Sequence, residues 1–148
     1  MGMMQTIEQD LKKAMIAKDE ARLSTVRFLK SALKYAAIEK KVEFLSDADV
    51  VQIIQKQIKQ RRESIDQFEK GGRGELATKE KQEVAVLESY LPKQLSDVEL
   101  GQVVQAAIQE AGASSKKDFG RVMKILTEKL AGQAEAKRIS DCLGKILV

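Results

Sequence analysis

The stretch from Val51 to Phe68 does more than any other to limit the fold. Val51, Ile54, Ile58, Arg61, Ile65 and Phe68 recur in alternating steps of three and four residues. That is the spacing of a heptad seam along one helix face. Ser46-Asp47-Ala48-Asp49 ahead of it has the form of a capping box with aspartate in the reciprocal position. Gly71, Gly72 and Gly74 behind it supply a left-handed C-cap and a turn. The helix between these signals, ending near Lys70, has ~25 residues and a length of ~37 Å. One position in the seam carries a charge, Arg61.

Helical spacing runs through the rest of the chain. A first helix is predicted from about Thr6 to Lys18, with Ile7, Leu11, Ala14 and Met15 on one face. A second runs from about Glu20 to Lys41 along Leu23, Val26, Leu29, Leu33 and Ala36. The helix after the glycines spans about Leu76 to Leu91, with Leu76, Val84, Leu87 and Leu91 in line and Glu80 in the missing step. A short glycine connection makes it the antiparallel neighbour of the Arg61 helix. Counting back from the turn, Arg61 comes nearly level with Glu83 and within about one turn of Glu80. An ion pair of Arg61 or Arg62 with Glu80 or Glu83 is therefore expected, a device that fixes register between helices.

Tyr90-Leu91-Pro92 breaks this series and holds the only proline. The residue before a proline leaves the α region, so the helix stops at Leu91. Ser96-Asp97-Val98-Glu99 then has the spacing of a capping box. The segment reads as a hinge, with Leu91 and Leu95 expected to pack the two sides and Pro92 to set their angle. Beyond it lie helices at about Asp97–Ala111, Lys116–Leu130 and Ala134–Leu147. There are no alternating runs and few aromatics, so no strand is predicted. The fold class is all-α, in two helical subdomains joined at Pro92. Residues 1–91 form a long-helix part of four helices, and residues 92–148 a three-helix bundle.

Composition removes several chemistries. The chain has no histidine, which takes away the commonest general base and transition-metal ligand. Its single cysteine, Cys142, excludes an intramolecular disulfide and a cysteine-based zinc site. Lying at helical spacing between Ile139 and Ile146, Cys142 reads as a core residue. Ser114 and Ser115 precede a helix, where capping accounts for them without a nucleophilic role. Gly71-Gly72-Arg73-Gly74 joins two helices and reads as a turn rather than a phosphate cradle. No apolar run approaches the ~20 residues that cross a bilayer. Neither metal nor cofactor is expected, and a reducing cytoplasm is the expected location.

The lysines and arginines are more informative. They number 26 against 22 acidic residues, for a formal charge of +4. Arg27, Lys30, Lys34 and Lys41 form one basic stripe at helical spacing. Lys56, Lys59 and Arg62 form a second cluster, and Lys116, Lys117, Arg121 and Lys124 a third at the start of a helix. Lysines beside free N–H groups at a helix start suit a phosphate. Aromatic residues do not interleave with these charges in the sequence, so phosphate contact rather than base stacking is expected.

These residues also carry a family pattern. Lys59-Gln60-Arg61-Arg62-Glu63-Ser64, Glu80 to Glu83, Tyr90 to Ser96, Gly112 to Lys116 and Asp118-Phe119-Gly120-Arg121-Val122-Met123 together resemble the YqeY-like proteins, close to end to end. That family is similar to the C-terminal tail of GatB, a component of the glutamine-dependent amidotransferase acting on mischarged Glu-tRNA or Asp-tRNA. The resemblance implies two helical subdomains and tRNA as a partner, gripped by the C-terminal helices. Lys124 and Ala136 stand where the family commonly has glycine.

The functional expectation is a non-catalytic helical module that binds tRNA or another structured RNA, with an aminoacyl-tRNA-handling enzyme as a further partner. Its RNA-binding residues would be Lys116, Lys117, Arg121, Lys124, Arg27, Lys30 and Lys34. By kinship alone, the alternative is participation in transamidation as a carbon–nitrogen ligase with glutamine as amido-N donor. A third reading is a protein-interaction module with an apolar patch around Tyr90 to Leu95.

Overall fold

The structure is a computed structural model and describes residues 2–147. It is all-α, with no strand among the described residues. The helices are α1 (Met3–Ala17), α2 (Glu20–Lys40), α3 (Asp47–Lys70), α4 (Gly74–Glu88), α5 (Asp97–Ala111), α6 (Phe119–Lys129) and α7 (Ala136–Ile146). A 3-10 turn, Lys116–Asp118, leads into α6. No helix among the described residues is long and apolar enough to cross a membrane. The chain divides into two compact units, Met1–Leu91 and Pro92–Val148.

In the first unit, α1 begins earlier than its apolar pattern indicates. The Gly2 N–H donates to Gln5 Oε1 at 3.0 Å and the Met3 N–H to Asp47 Oδ1 at 2.9 Å. Two donors that a helix start would leave unpaired are thus satisfied. Met15, placed on the apolar face by its spacing, is 52% exposed, while Met4 is buried. The core is built from Ile7, Val26, Leu29, Leu33, Ile54, Ile58 and Leu87. The stripe of α3 is shifted at its start, because Val50 rather than Val51 is buried. Ser46 Oγ accepts from the Asp49 N–H, but the Asp49 carboxylate turns to Lys40 Nζ at 2.8 Å, which holds its pKa below the usual carboxylate range.

The glycine turn after α3 consumes its own donors. The N–H groups of Gly71, Gly72 and Arg73 donate to the carbonyls of Gln67, Glu69 and Phe68. Gly72 takes φ +73°, the one place here where glycine is required. Helix α4 ends at Glu88, short of Leu91. Its buried residues are Ala77, Glu83, Val84 and Leu87, so the acid in the core is Glu83, not Glu80.

The second unit packs Leu100, Val104, Val122, Leu126, Ile139 and Leu143. Ser96 and Glu99 form a reciprocal capping box at the start of α5, and Gly112 closes it at φ +63°. The lead segment is stitched into this unit. The Leu95 N–H donates to the Gln133 carbonyl, Gln94 Nε2 to the Gly132 carbonyl, and Arg138 to both the Leu95 carbonyl and Asp97 Oδ1. Leu95 packs against this core and Leu91 against that of the first unit. Each of the two leucines flanking Pro92 therefore serves the core of its own unit.

Candidate nucleic-acid interface

Helix α2 buries Val26, Leu29, Leu33 and Ala37, and turns another face to solvent. At 100° per residue the outward side carries Phe28, Ser31 and Tyr35, flanked by Arg27 and Lys34. Phe28 is 58% exposed and Tyr35 67%. Arg27 and Lys34 are exposed, and Lys30, turned towards the packed side, is only partly so. Rings and cations do interleave on this helix after all. The sequence sets Arg27 beside Phe28 and Lys34 beside Tyr35 but does not show that both rings are left exposed. Ile38, Val42 and Phe44 are exposed farther along. Lys41 caps α2 in the left-handed region, at φ +59°.

Between α2, α3 and α4 lies a charged seam. Arg61 Nη1 donates to Glu80 Oε2 at 3.1 Å and also to Glu83 Oε2. The Arg61 and Glu83 side chains are 14% and 6% exposed, so the pair is largely withdrawn from water. The Arg61 guanidinium lies over the Phe28 ring, 5.6 Å from its centroid, on the scale of a cation–π contact. Arg62 points elsewhere and donates to Glu88 Oε1 at 2.7 Å. The other two members of its cluster, Lys56 and Lys59, are exposed.

In the second unit the basic edge is partly spent on structure. Arg121 donates to the Ala111 carbonyl at 2.7 Å and to Asp118 Oδ1 at 3.0 Å, which ties α6 to the C-terminal end of α5. A carboxylate of the first turn folds back onto the segment ahead of the helix. Asp118 Oδ2 accepts from the Ser114 N–H at 3.1 Å, and the Ser115 side chain makes no cap bond. The Ser114 N–H, followed by Arg121, holds the Asp118 pKa below the usual carboxylate range. Lys116, Lys117 and Lys124 remain exposed.

Tyr90, at the start of the expected hinge, is tied into the first unit. Its hydroxyl donates to Asp10 Oδ2 at 2.6 Å and accepts from Arg22 at 3.5 Å. Burial, then the neighbouring Asp10, pushes its pKa well above the ordinary tyrosine value. Tyr90, Leu91 and Leu95 are half-buried and Pro92 is exposed. Of the large apolar side chains that are exposed, Phe28, Tyr35, Ile38, Val42 and Phe44 lie on α2 and the loop after it, and Met15, Ile16, Val98 and Ile125 lie elsewhere. Cys142 is half-buried against the second core and borders a cavity of about 400 Å³ with Arg138 and Lys145. No group of three potential metal-binding side chains occurs among the described residues.

The chain is all-α, and its first unit combines a cationic, ring-bearing helix face with a largely buried arginine–glutamate seam. By sequence it belongs to the YqeY-like family, whose model, described as Yqey-like protein, matches residues 4–147. Among curated proteins it is similar to "Altered inheritance of mitochondria protein 41, mitochondrial" of Kluyveromyces lactis, 34% identical over 95% of this chain and 66% of that protein. The protein of the same name in Eremothecium gossypii is 40% identical over 57% of this chain and 46% of that protein. A Saccharomyces cerevisiae relative is 29% identical over 95% of this chain and 68% of its own length. The matched region is thus about half of the Eremothecium protein and two thirds of the others. These names correct one expectation. The relatives are called mitochondrial, which points to mitochondria rather than the cytoplasm.

Proposed function

We propose that the protein is a non-catalytic helical module that binds tRNA or another structured RNA through its phosphate backbone. One observation carries this reading: the solvent face of α2, where Arg27 and Lys34 flank the exposed rings of Phe28 and Tyr35. Cations supply the salt-dependent, sequence-independent part of RNA affinity, and rings add contacts to unpaired bases. Lys116, Lys117 and Lys124 provide a second cationic set in the other unit. Arg121 contributes to that unit's construction instead, through the Ala111 carbonyl.

Filter binding of tRNA across a salt series tests the reading. Affinity falls linearly with log salt, and replacing Arg27 and Lys34 by glutamine lowers the slope by about two. A separate variant neutralising Lys116, Lys117 and Lys124 lowers it by about three if that edge also meets phosphate. Binding that is absent, or indifferent to salt, overturns the proposal. Purification with a bound protein instead of RNA would favour an interaction module built on Ile38, Val42 and Phe44.

A further inference from the structure

Helix α2 carries two seams. Val26, Leu29, Leu33 and Ala37 are buried in the core of the first unit. Ser24, Phe28, Ser31, Tyr35 and Ile38 recur in alternating steps of four and three residues, and all of them are exposed. At 100° per residue this second line lies about 180° from the first. Val42 and Phe44, exposed in the loop after α2, continue its apolar character. A helix that is apolar on two opposite sides is normally covered on both. The first unit covers one of them. A seam in steps of three and four is the surface against which another helix lays its own seam. Ile38 and Val42 offer neither a ring for a base to stack on nor a charge for a phosphate, so their fitting partner is an apolar side chain.

Charge selects the partner. Arg27 and Lys34 stand one heptad apart on one flank of the exposed seam, without an ion-pair partner among the described residues. The other flank holds Ala32 and Glu39. Residues flanking a heptad seam set partner choice and orientation through pairs across the helices. A second copy of α2 laid antiparallel brings the flank of Arg27 and Lys34 against itself, cation to cation. Laid parallel, it pairs Lys34 with Glu39 but leaves Arg27 facing Ala32. A foreign helix with carboxylates along the matching flank meets both cations.

We infer that the exposed seam of α2 docks an amphipathic helix of another protein, its apolar side chains over Tyr35 and Ile38 and its acidic flank on Arg27 and Lys34. Docking goes beyond RNA binding, in which Ile38 has no part. The two share Tyr35, Arg27 and Lys34, so an acidic helix and RNA exclude one another; this competition alone rests on the RNA-binding reading of α2.

The experiment uses the full chain and three fluorescent peptides of equal length: a heptad helix with leucine in its seam and glutamate on its flanks, the same helix with lysine on its flanks, and a scramble of the first. In anisotropy titration the glutamate helix binds about tenfold more tightly than either of the others. Combining Arg27→Glu with Lys34→Glu reverses the order, so that the lysine helix binds best. Ile38→Ala weakens the glutamate helix about tenfold and leaves tRNA affinity unchanged. In the native chain the glutamate helix displaces bound tRNA. Equal binding of the glutamate helix and its scramble, or no binding of any peptide, overturns the docking site and leaves the RNA reading standing. Binding of the glutamate helix by a chain with no affinity for tRNA upholds the docking site and overturns the RNA reading. Simultaneous binding of both overturns the competition. A native chain that sediments as a dimer, and as a monomer after Ile38→Glu, assigns the seam to a second copy and overturns the foreign helix. Should a variant fail to fold, the native chain's choice among the three peptides still decides.

Discussion

Arg61 and Arg121 each hold two acceptors, yet they do different work. Arg61 is folded into the helix packing, 14% exposed, against two glutamates. Arg121 lies on the surface, 53% exposed, against one aspartate and the end carbonyl of a helix. Both arginines join neighbouring elements. The difference is in what happens when the guanidinium is removed. Glu83 would be left charged and buried, whereas Asp118 would meet water. Burial, not the number of bonds, sets how much a protein depends on a charge.

That contrast is open to direct test. Arg61→Ala costs about 3–5 kcal/mol in urea unfolding, the loss expected when one partner of a buried pair is removed. Replacing Arg61 by Met together with Glu83 by Leu regains most of it, and a double variant as unstable as the single one would refute the burial argument. Next in size is Tyr90→Phe, which removes a hydroxyl bond to a carboxylate and costs about 1–3 kcal/mol. The Tyr90 proton is held more tightly in the folded chain. Its contribution is therefore intact below the ordinary tyrosine pKa of 10.0 and is lost as pH rises beyond it. The stability difference between native chain and Tyr90→Phe should shrink in that alkaline range.

Arg121→Ala should shift the urea midpoint far less than Arg61→Ala. Asp118, whose pKa is depressed, contributes above its unfolded value and loses that contribution as pH falls below about 4. Acid unfolding of Asp118→Asn, compared with the native chain, reads this directly. The smallest effect goes the other way. Lys41→Gly relieves a left-handed residue at φ +59° and gains about 1 kcal/mol.

Helices were legible because apolar spacing reports a face directly. Capping signals fixed the start of α5 through Ser96 and Glu99. Helix ends were less legible wherever distant residues set them. Asp47, 44 residues away, receives the Met3 N–H at the start of α1. Tyr90 turns away beyond α4 towards Asp10. Counting back from the glycines brings Arg61 level with Glu83, but the apolar line of α4 puts Glu80 in the core position that Glu83 holds. The basic edge of α6 was less legible for a related reason. Sequence shows a charge but not what it already touches, and Arg121 is engaged by the Ala111 carbonyl and Asp118. The burial of Gln57 was invisible, since a glutamine among charged residues gives no sign of it.

The Tyr90–Asp10 bond joins residues 80 positions apart. During synthesis, at roughly 5–20 residues per second, Asp10 waits several seconds for its partner. Until then α1 has no latch to the far end of its unit. The first unit is thus secured only as its last residues leave the ribosome, when the chain of the second is just beginning to appear.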